Sequence, residues 1–244
     1  PNLLIVGDTN NGKSMIAGRF HAAHPERDGS NGDGVTLPIL AIQAPPVPDE
    51  SRLYNAILEK LNAPFRPQES TDSRQLQAVR TLSQIETRMV IIDEIHHILA
   101  GWPHRQRQVL NTIKYLGNEL KVPIVAIGTR DAFHALQSDD QLANRFEPTL
   151  LPRWTMGTEY LKLLASFERM LPLKGISALV ERSLALKILS MSEGVIGEIS
   201  ALLVRAAVRA VERGTERIDA KLLDGLNWTA PSERRWRSVG GQGD

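Results

Sequence analysis

The chain has 244 residues with 29 Lys plus Arg against 28 Asp plus Glu, so whole-molecule charge does not mark a polyanion binder and any such surface must be local. Having no cysteine, it can form no disulfide or thiolate metal site, which fits a reducing compartment. No apolar run approaches the roughly 18 residues of a membrane span, and the N-terminus has no signal-peptide pattern; a cytoplasmic protein of one large or two modest domains is expected.

In chain order, Leu3-Leu4-Ile5-Val6 reads as a buried strand so close behind Pro1 that a preceding segment is expected. Gly7-Asp8-Thr9-Asn10-Asn11-Gly12-Lys13-Ser14 follows, and Met15 to Phe20 reads as a helix. The polar, glycine-rich stretch from Pro25 to Gly34 is the best candidate for a mobile loop. A second strand is expected over Leu37 to Ala44, closed by Pro45, Pro46 and Pro48. Ser51 to Leu61 is the next helix, with Leu53, Ile57, Leu58 and Leu61 inward and Asp49 or Ser51 as N-cap. Beyond a loop from Pro64 to Ser70, a helix from Asp72 to Ile85 would bury Leu76, Val79, Leu82 and Ile85.

Met89 to Ile92 is a third strand ending in Asp93-Glu94, residues 104–120 a helix burying Val109, Ile113 and Leu116, and Val122 to Ile127 a fourth strand ending at Gly128-Thr129. A short helix from Ala132 to Leu136 and an acidic turn lead to Leu142-Ala143-Asn144-Arg145-Phe146, with a fifth strand over Thr149 to Leu151. Beyond Pro152 only helices are expected, over 157–170, 177–190, 197–212 and 219–225. Strands alternating with helices, then helices alone, predict an α/β fold with a parallel five-stranded sheet at 1–152, an all-helical domain at 153–228 and a flexible basic tail at 229–244 holding Arg234 to Arg237.

The spacing GxxxxGK(S/T) between strand and helix has a chemical reason. Backbone N–H groups must point inward at a phosphate chain without bulky side chains in the way. Lys13 would reach the β- and γ-phosphates and the Ser14 hydroxyl would hold Mg²⁺; Gly7 to Met15 are the nucleotide-contacting residues expected here. About eighty residues on, Asp93 at a buried strand end can hold Mg²⁺ through water, and Glu94 can polarise the attacking water. Thr129 can contact the γ-phosphate and that water, or else cap the next helix. Arg145 is placed to project from the domain edge into a neighbour's site, or else forms a surface salt bridge. His96, His97 and His104 lack a Cys or HExxH partner, and adjacent histidines diverge, so they are expected to pack or start a helix rather than bind metal.

With these pieces in order, the chain resembles the AAA+ ATPases, and within them the TniB/TnsC family of transposition regulators, whose more distant functional relatives include MuB and IstB. The carriers are Gly7 to Ser14, Ile91 to Glu94, Ile127 to Ala132, Gln141 to Phe146, and the glycine-spaced run Ser192-Glu193-Gly194-Val195-Ile196-Gly197-Glu198-Ile199. The resemblance implies a helical lid domain after the sheet domain, and ATP bound between subunits. It further implies head-to-tail rings or helical filaments on double-stranded DNA, slow assembly-dependent hydrolysis, and delivery of target DNA to a DDE transposase of the TniA/TnsB kind beside a TniQ-like protein. It places DNA contacts at Ser51, Arg52, Ser70 and Arg74, although both arginines read equally well as solvated surface. The stretch Gly197-Glu198-Ile199-Ser200 lacks the arginine that many AAA+ proteins carry there as a second sensor. Two other readings stay open: a loader or initiator ATPase that remodels a protein partner, and a module whose nucleotide is structural. A winged helix, which would favour an initiator, is not expected in the stretch after residue 225.

Overall fold

The computed structural model describes residues 2–28, 34–66, 68–99, 102–137 and 144–234, except the side chains of 99 and 134–137. Pro1, the Gln141 to Ala143 part of the Asn-Arg-Phe box and Arg235 to Arg237 lie outside the described residues. Two compact units are present: Pro1–Thr9 with Lys13–Leu151, and Asn10–Gly12 with Pro152–Asp244.

The first unit is built on β1 (Asn2–Gly7), β4 (Ile39–Gln43), β5 (Met89–Asp93), β6 (Ile124–Gly128) and β7 (Phe146–Leu151), all neighbours parallel in the order β4-β5-β6-β1-β7. Parallel strands need crossover helices. Here those are α1 (Lys13–Ala22), α2 (Glu50–Lys60), α3 (Thr71–Gln84), the short α4 (His96–Leu99), α5 (Pro103–Leu120) and α6 (Arg130–Gln137). Period-two alternation gives each sheet face its own core. Leu4, Val6, Leu40, Ile42, Val90 and Ile92 share one cluster with Leu53, Ile57, Val109 and Ile113 of the helices, while Ile39, Ile91 and Ile127 form a smaller one against Ala17.

Three features of this unit depart from expectation. Within the stretch from Pro25 to Gly34, expected as a mobile loop, β2 (Arg27–Asp28) pairs antiparallel with β3 (Val35–Thr36), and residues 29–33 lie outside the described residues. The fifth strand starts earlier, at Phe146, because Pro148 is tolerated on an edge strand that donates no hydrogen bond there. The inner face of α3 is Arg74, Ala78 and Leu82, a strict i, i+4 row, and Leu76 is 51% exposed instead of buried. Asp49 and Ser70 are the N-caps of α2 and α3, accepting from the Arg52 and Ser73 N–H groups at 2.9 and 3.2 Å.

The second unit holds α7 (Thr158–Met170), α8 (Arg182–Ser192), α9 (Ile196–Glu212) and α10 (Ala220–Asp224) around Tyr160, Leu164, Ile188, Ile199, Leu203 and Ala206. The helix expected from residue 177 begins at 182, because Ala178 takes a positive φ of 55° and the Glu168 carboxylate accepts from the N–H groups of Ser177, Ala178 and Leu179. Residues 229–234, expected as flexible tail, are packed: Trp228 donates to the Met191 carbonyl at 2.8 Å, and the Arg234 guanidinium covers its ring and pairs with Glu198.

Gly194 explains the glycine-spaced run in physical terms. It has φ +71°, its carbonyl accepts the Trp154 N–H at 2.7 Å, and an added Cβ would lie 2.2 Å from the Trp154 oxygen. Gly194→Ala should therefore destabilise this unit by about 3 kcal/mol, lowering its thermal midpoint by more than about 10 °C in a circular-dichroism melt; an unchanged midpoint would refute the clash.

Candidate functional site

The carboxyl ends of parallel strands are where an α/β sheet opens a crevice. Val6 of β1 pairs with Gly128 of β6, and β6 in turn pairs with β5, so the loop after β1, Thr129 after β6 and Asp93-Glu94 at the end of β5 emerge at the same edge. A cleft of 450 Å³ there is lined by Ser14, Gln43, Asp93 and Glu94 among others.

The loop Gly7 to Ser14 is shaped by backbone requirements. Gly7 lies against Leu151, where a Cβ would come within 3.1 Å of the Leu151 carbonyl. Asn10 and Gly12 adopt positive φ values of 64° and 86°. Lys13 is 8% exposed, and its Nζ donates to the carbonyls of Gly7 and Asp8 at 3.0 and 2.8 Å. Burial pushes the ammonium below its ordinary pKa, against the opposing pull of Glu94, Asp93 and Asp8. Ser14 is exposed at the first turn of α1, as are Thr9 and Asn10, whereas Asn11 is buried; Met15 is 78% exposed. Asp8 is also within 3.4 Å of Arg130 Nε.

Asp93 and Glu94 are both half-buried. Asp93 Oδ1 accepts the Glu94 N–H at 2.8 Å, and Glu94 itself has φ 56°. A non-glycine residue in that region stores strain, and such strain concentrates at functional sites. The half-buried Thr129 uses its carbonyl to accept the Ala132 N–H at 3.1 Å, starting α6. Oxygen donors from Ser14 and Asp93 form a set that suits Mg²⁺.

Arg145 stands elsewhere. It immediately precedes β7, whose six residues run parallel to β1 and end at Leu151 opposite Gly7. At about 3.3 Å per residue its backbone is about 20 Å from its own phosphate loop. Its Nη1 donates to the Asn118 amide oxygen at 3.3 Å, so its described partner is not a carboxylate. Of the four residues named for DNA, Arg52 and Ser70 are exposed and Ser51 is half-buried, its hydroxyl hydrogen-bonded to Thr71 at 2.6 Å. Arg74 departs from that expectation: it is 7% exposed, over the Phe65 ring and reaching the Arg66 carbonyl, so its charge is not presented at the surface.

A family model for the bacterial TniB protein matches residues 1–156. The chain belongs to the TniB family. No curated protein matches this TniB-family chain in sequence. Among solved structures, the Aeropyrum pernix ORC2 protein in its ADPNP-ADP complexes matches with a TM-score of 0.64 at 16% identity, over 91% of this chain and 60% of that one. The A. pernix ORC1 protein in complex with DNA matches with a TM-score of 0.60 at 19% identity, over 97% and 59%. Cdc6p from Pyrobaculum aerophilum gives 0.63 at 16%, over 89% and 57%. The TniB-family chain thus has the AAA+ fold and spans about three fifths of the length of these structures. No helix among its described residues is long and apolar enough to cross a membrane.

Sequence reasoning singled out the loop, Asp93, Glu94 and Thr129, and the fold brings these strand ends together. It missed the burial of Arg74, whose i, i+4 spacing to Ala78 and Leu82 was the available signal, and the approach of His96 to Glu94, with Nδ1 3.1 Å from Oε2.

Proposed function

We propose that this TniB-family chain is an ATP-dependent, DNA-binding transposition regulator that assembles on duplex DNA, delivers it to a DDE transposase and disassembles on hydrolysis. The observation that carries the reading is the placement of Gly7–Ser14, Asp93, Glu94 and Thr129 at one sheet edge while Arg145 stands at the other end of β7. An arginine about one strand length from its own loop supports a role at a neighbour's.

In this reading Lys13 leaves the Gly7 and Asp8 carbonyls for the β- and γ-phosphates. Ser14 and Asp93 hold Mg²⁺, which when bound offsets phosphate charge. The Glu94 carboxylate accepts the proton of the attacking water, Thr129 orients that water, and the neighbour's Arg145 stabilises charge on the transferring phosphoryl group. ATP therefore occupies a complete site only where two subunits meet. Duplex DNA lies along the N-terminal ends of α2 and α3, where Arg52, Ser51 and Ser70 offer a cation and hydroxyls beside helix N-termini; Arg74 supports the loop from beneath. Such contacts address phosphates and carry little sequence preference. Summed around an assembly, a few per subunit suffice despite the near-neutral chain. A TniQ-like protein and a TniA/TnsB-like transposase would complete the partners.

Assembly dependence is tested by mixing variants. Arg145→Ala alone should cut hydrolysis by about 10³. Adding Lys13→Ala chains, inactive but with Arg145 intact, should restore a measurable part of the rate. Unaltered hydrolysis by Arg145→Ala, or no recovery in the mixture, would overturn action in trans.

A further inference from the structure

The carboxylate assigned to water activation has two imidazoles beside it. Glu94, His96 and His97 each bring one donor atom into a cluster whose members lie within 4.8 Å of one another. The imidazole rings are 4.5 Å apart at an interplanar angle of 55°, and both Nδ1 atoms are buried without a hydrogen-bond partner. The 3.1 Å approach of His96 Nδ1 to Glu94 Oε2 lacks hydrogen-bond alignment.

Adjacent histidines within one regular helix diverge by about 100° and do not converge on one point. Here the chain is not regular. Glu94 is left-handed at φ 56°, the strand has just ended, and the two histidines open a helix of four residues, with the His97 N–H bonded to the Glu94 carbonyl at 2.9 Å. That turn folds both rings back towards the carboxylate. Buried ring nitrogens are ordinarily hydrogen-bonded, and two that are not, beside a carboxylate, point to a ligand that accepts nitrogen and oxygen donors together.

We propose that Glu94, His96 and His97 form a Zn²⁺ site, and that occupancy by zinc arrests hydrolysis by withdrawing the Glu94 carboxylate from water. Two imidazole nitrogens and one carboxylate oxygen are the donors of an open, three-ligand zinc site; Mg²⁺ prefers oxygen alone. Metal–donor bonds of about 2.0–2.1 Å place tetrahedral donors about 3.3 Å apart, so the cluster contracts on binding. The side chains of His96 and Glu94 are 28% and 37% exposed, which gives them room to rotate and gives the ion a path in. The arrest half of the proposal rests on the assignment of Glu94 as the water-activating base; the binding half does not.

The test separates the two. Zn²⁺ is titrated into the full chain without nucleotide, in competition with a chromogenic chelator. One ion per chain is expected, and affinity should fall at least tenfold in His97→Gln and in the double variant His96→Gln/His97→Gln, with melting curves verifying that both variants fold. Equal binding by wild type and double variant overturns the site. With ATP and excess Mg²⁺ present, micromolar zinc should stop wild-type turnover and leave whatever rate the double variant has unchanged. Equal inhibition of both overturns the arrest, even where the binding result stands.

Discussion

Lys13→Ala should abolish nucleotide binding while leaving the chain folded. The ammonium is buried, and among the described residues it donates to carbonyls of its own loop, Gly7 at 3.0 Å and Asp8 at 2.8 Å. A polyphosphate offers stronger, charge-assisted partners at the same place. Charged hydrogen bonds contribute about 1.5–3 kcal/mol each, so losing two weakens binding by about 10² to 10⁴. Titration with a fluorescent ATP analogue measures this, and affinity within a few-fold of wild type would refute the role. A pH dependence follows from the same burial. The buried ammonium has a pKa below its ordinary 10.5, and phosphate binding would draw it back up. Binding then takes up protons in the alkaline window below 10.5, and affinity falls as pH rises through it.

The second large effect is Glu94→Gln, which should cut hydrolysis by about 10² to 10⁴, the span of general-base catalysis, with ATP affinity retained. The amide is close in shape to the carboxylate and cannot take up the proton of the attacking water. Asp93, whose Oδ1 holds the Glu94 N–H at 2.8 Å, keeps that contact because it is made to the backbone. ATP-bound protein should accumulate on duplex DNA, measurable as slowed release of both nucleotide and DNA. Hydrolysis at the wild-type rate would remove Glu94 from the mechanism.

Much of this was legible in the sequence because it is local. Two glycines and a lysine at fixed spacing between a strand and a helix specify a loop through backbone sterics alone, and an apolar run ending in Asp93-Glu94 places its carboxylates at a strand end. What was not legible depends on neighbours. The fifth strand was expected only from Thr149, yet β7 begins at Phe146 and takes in Pro148, because on an edge strand a missing donor costs nothing. Leu76 was assigned inward by hydrophobicity, yet the row that packs is Arg74, Ala78 and Leu82, because Phe65 and the loop beside it accept the guanidinium. The convergence of His96 and His97 on Glu94 follows from one left-handed residue that no propensity predicts for glutamate. Glu198 stands where a sensor arginine was sought, and the arginine beside it is Arg234, thirty-six residues later.

The central claim is that ATP joins subunits of this TniB-family chain around DNA. Electron microscopy of the protein with duplex DNA and a non-hydrolysable ATP analogue tests it most directly. Rings or helical filaments threaded by the duplex, absent when the analogue is omitted, are the predicted result; free monomers under both conditions would contradict it.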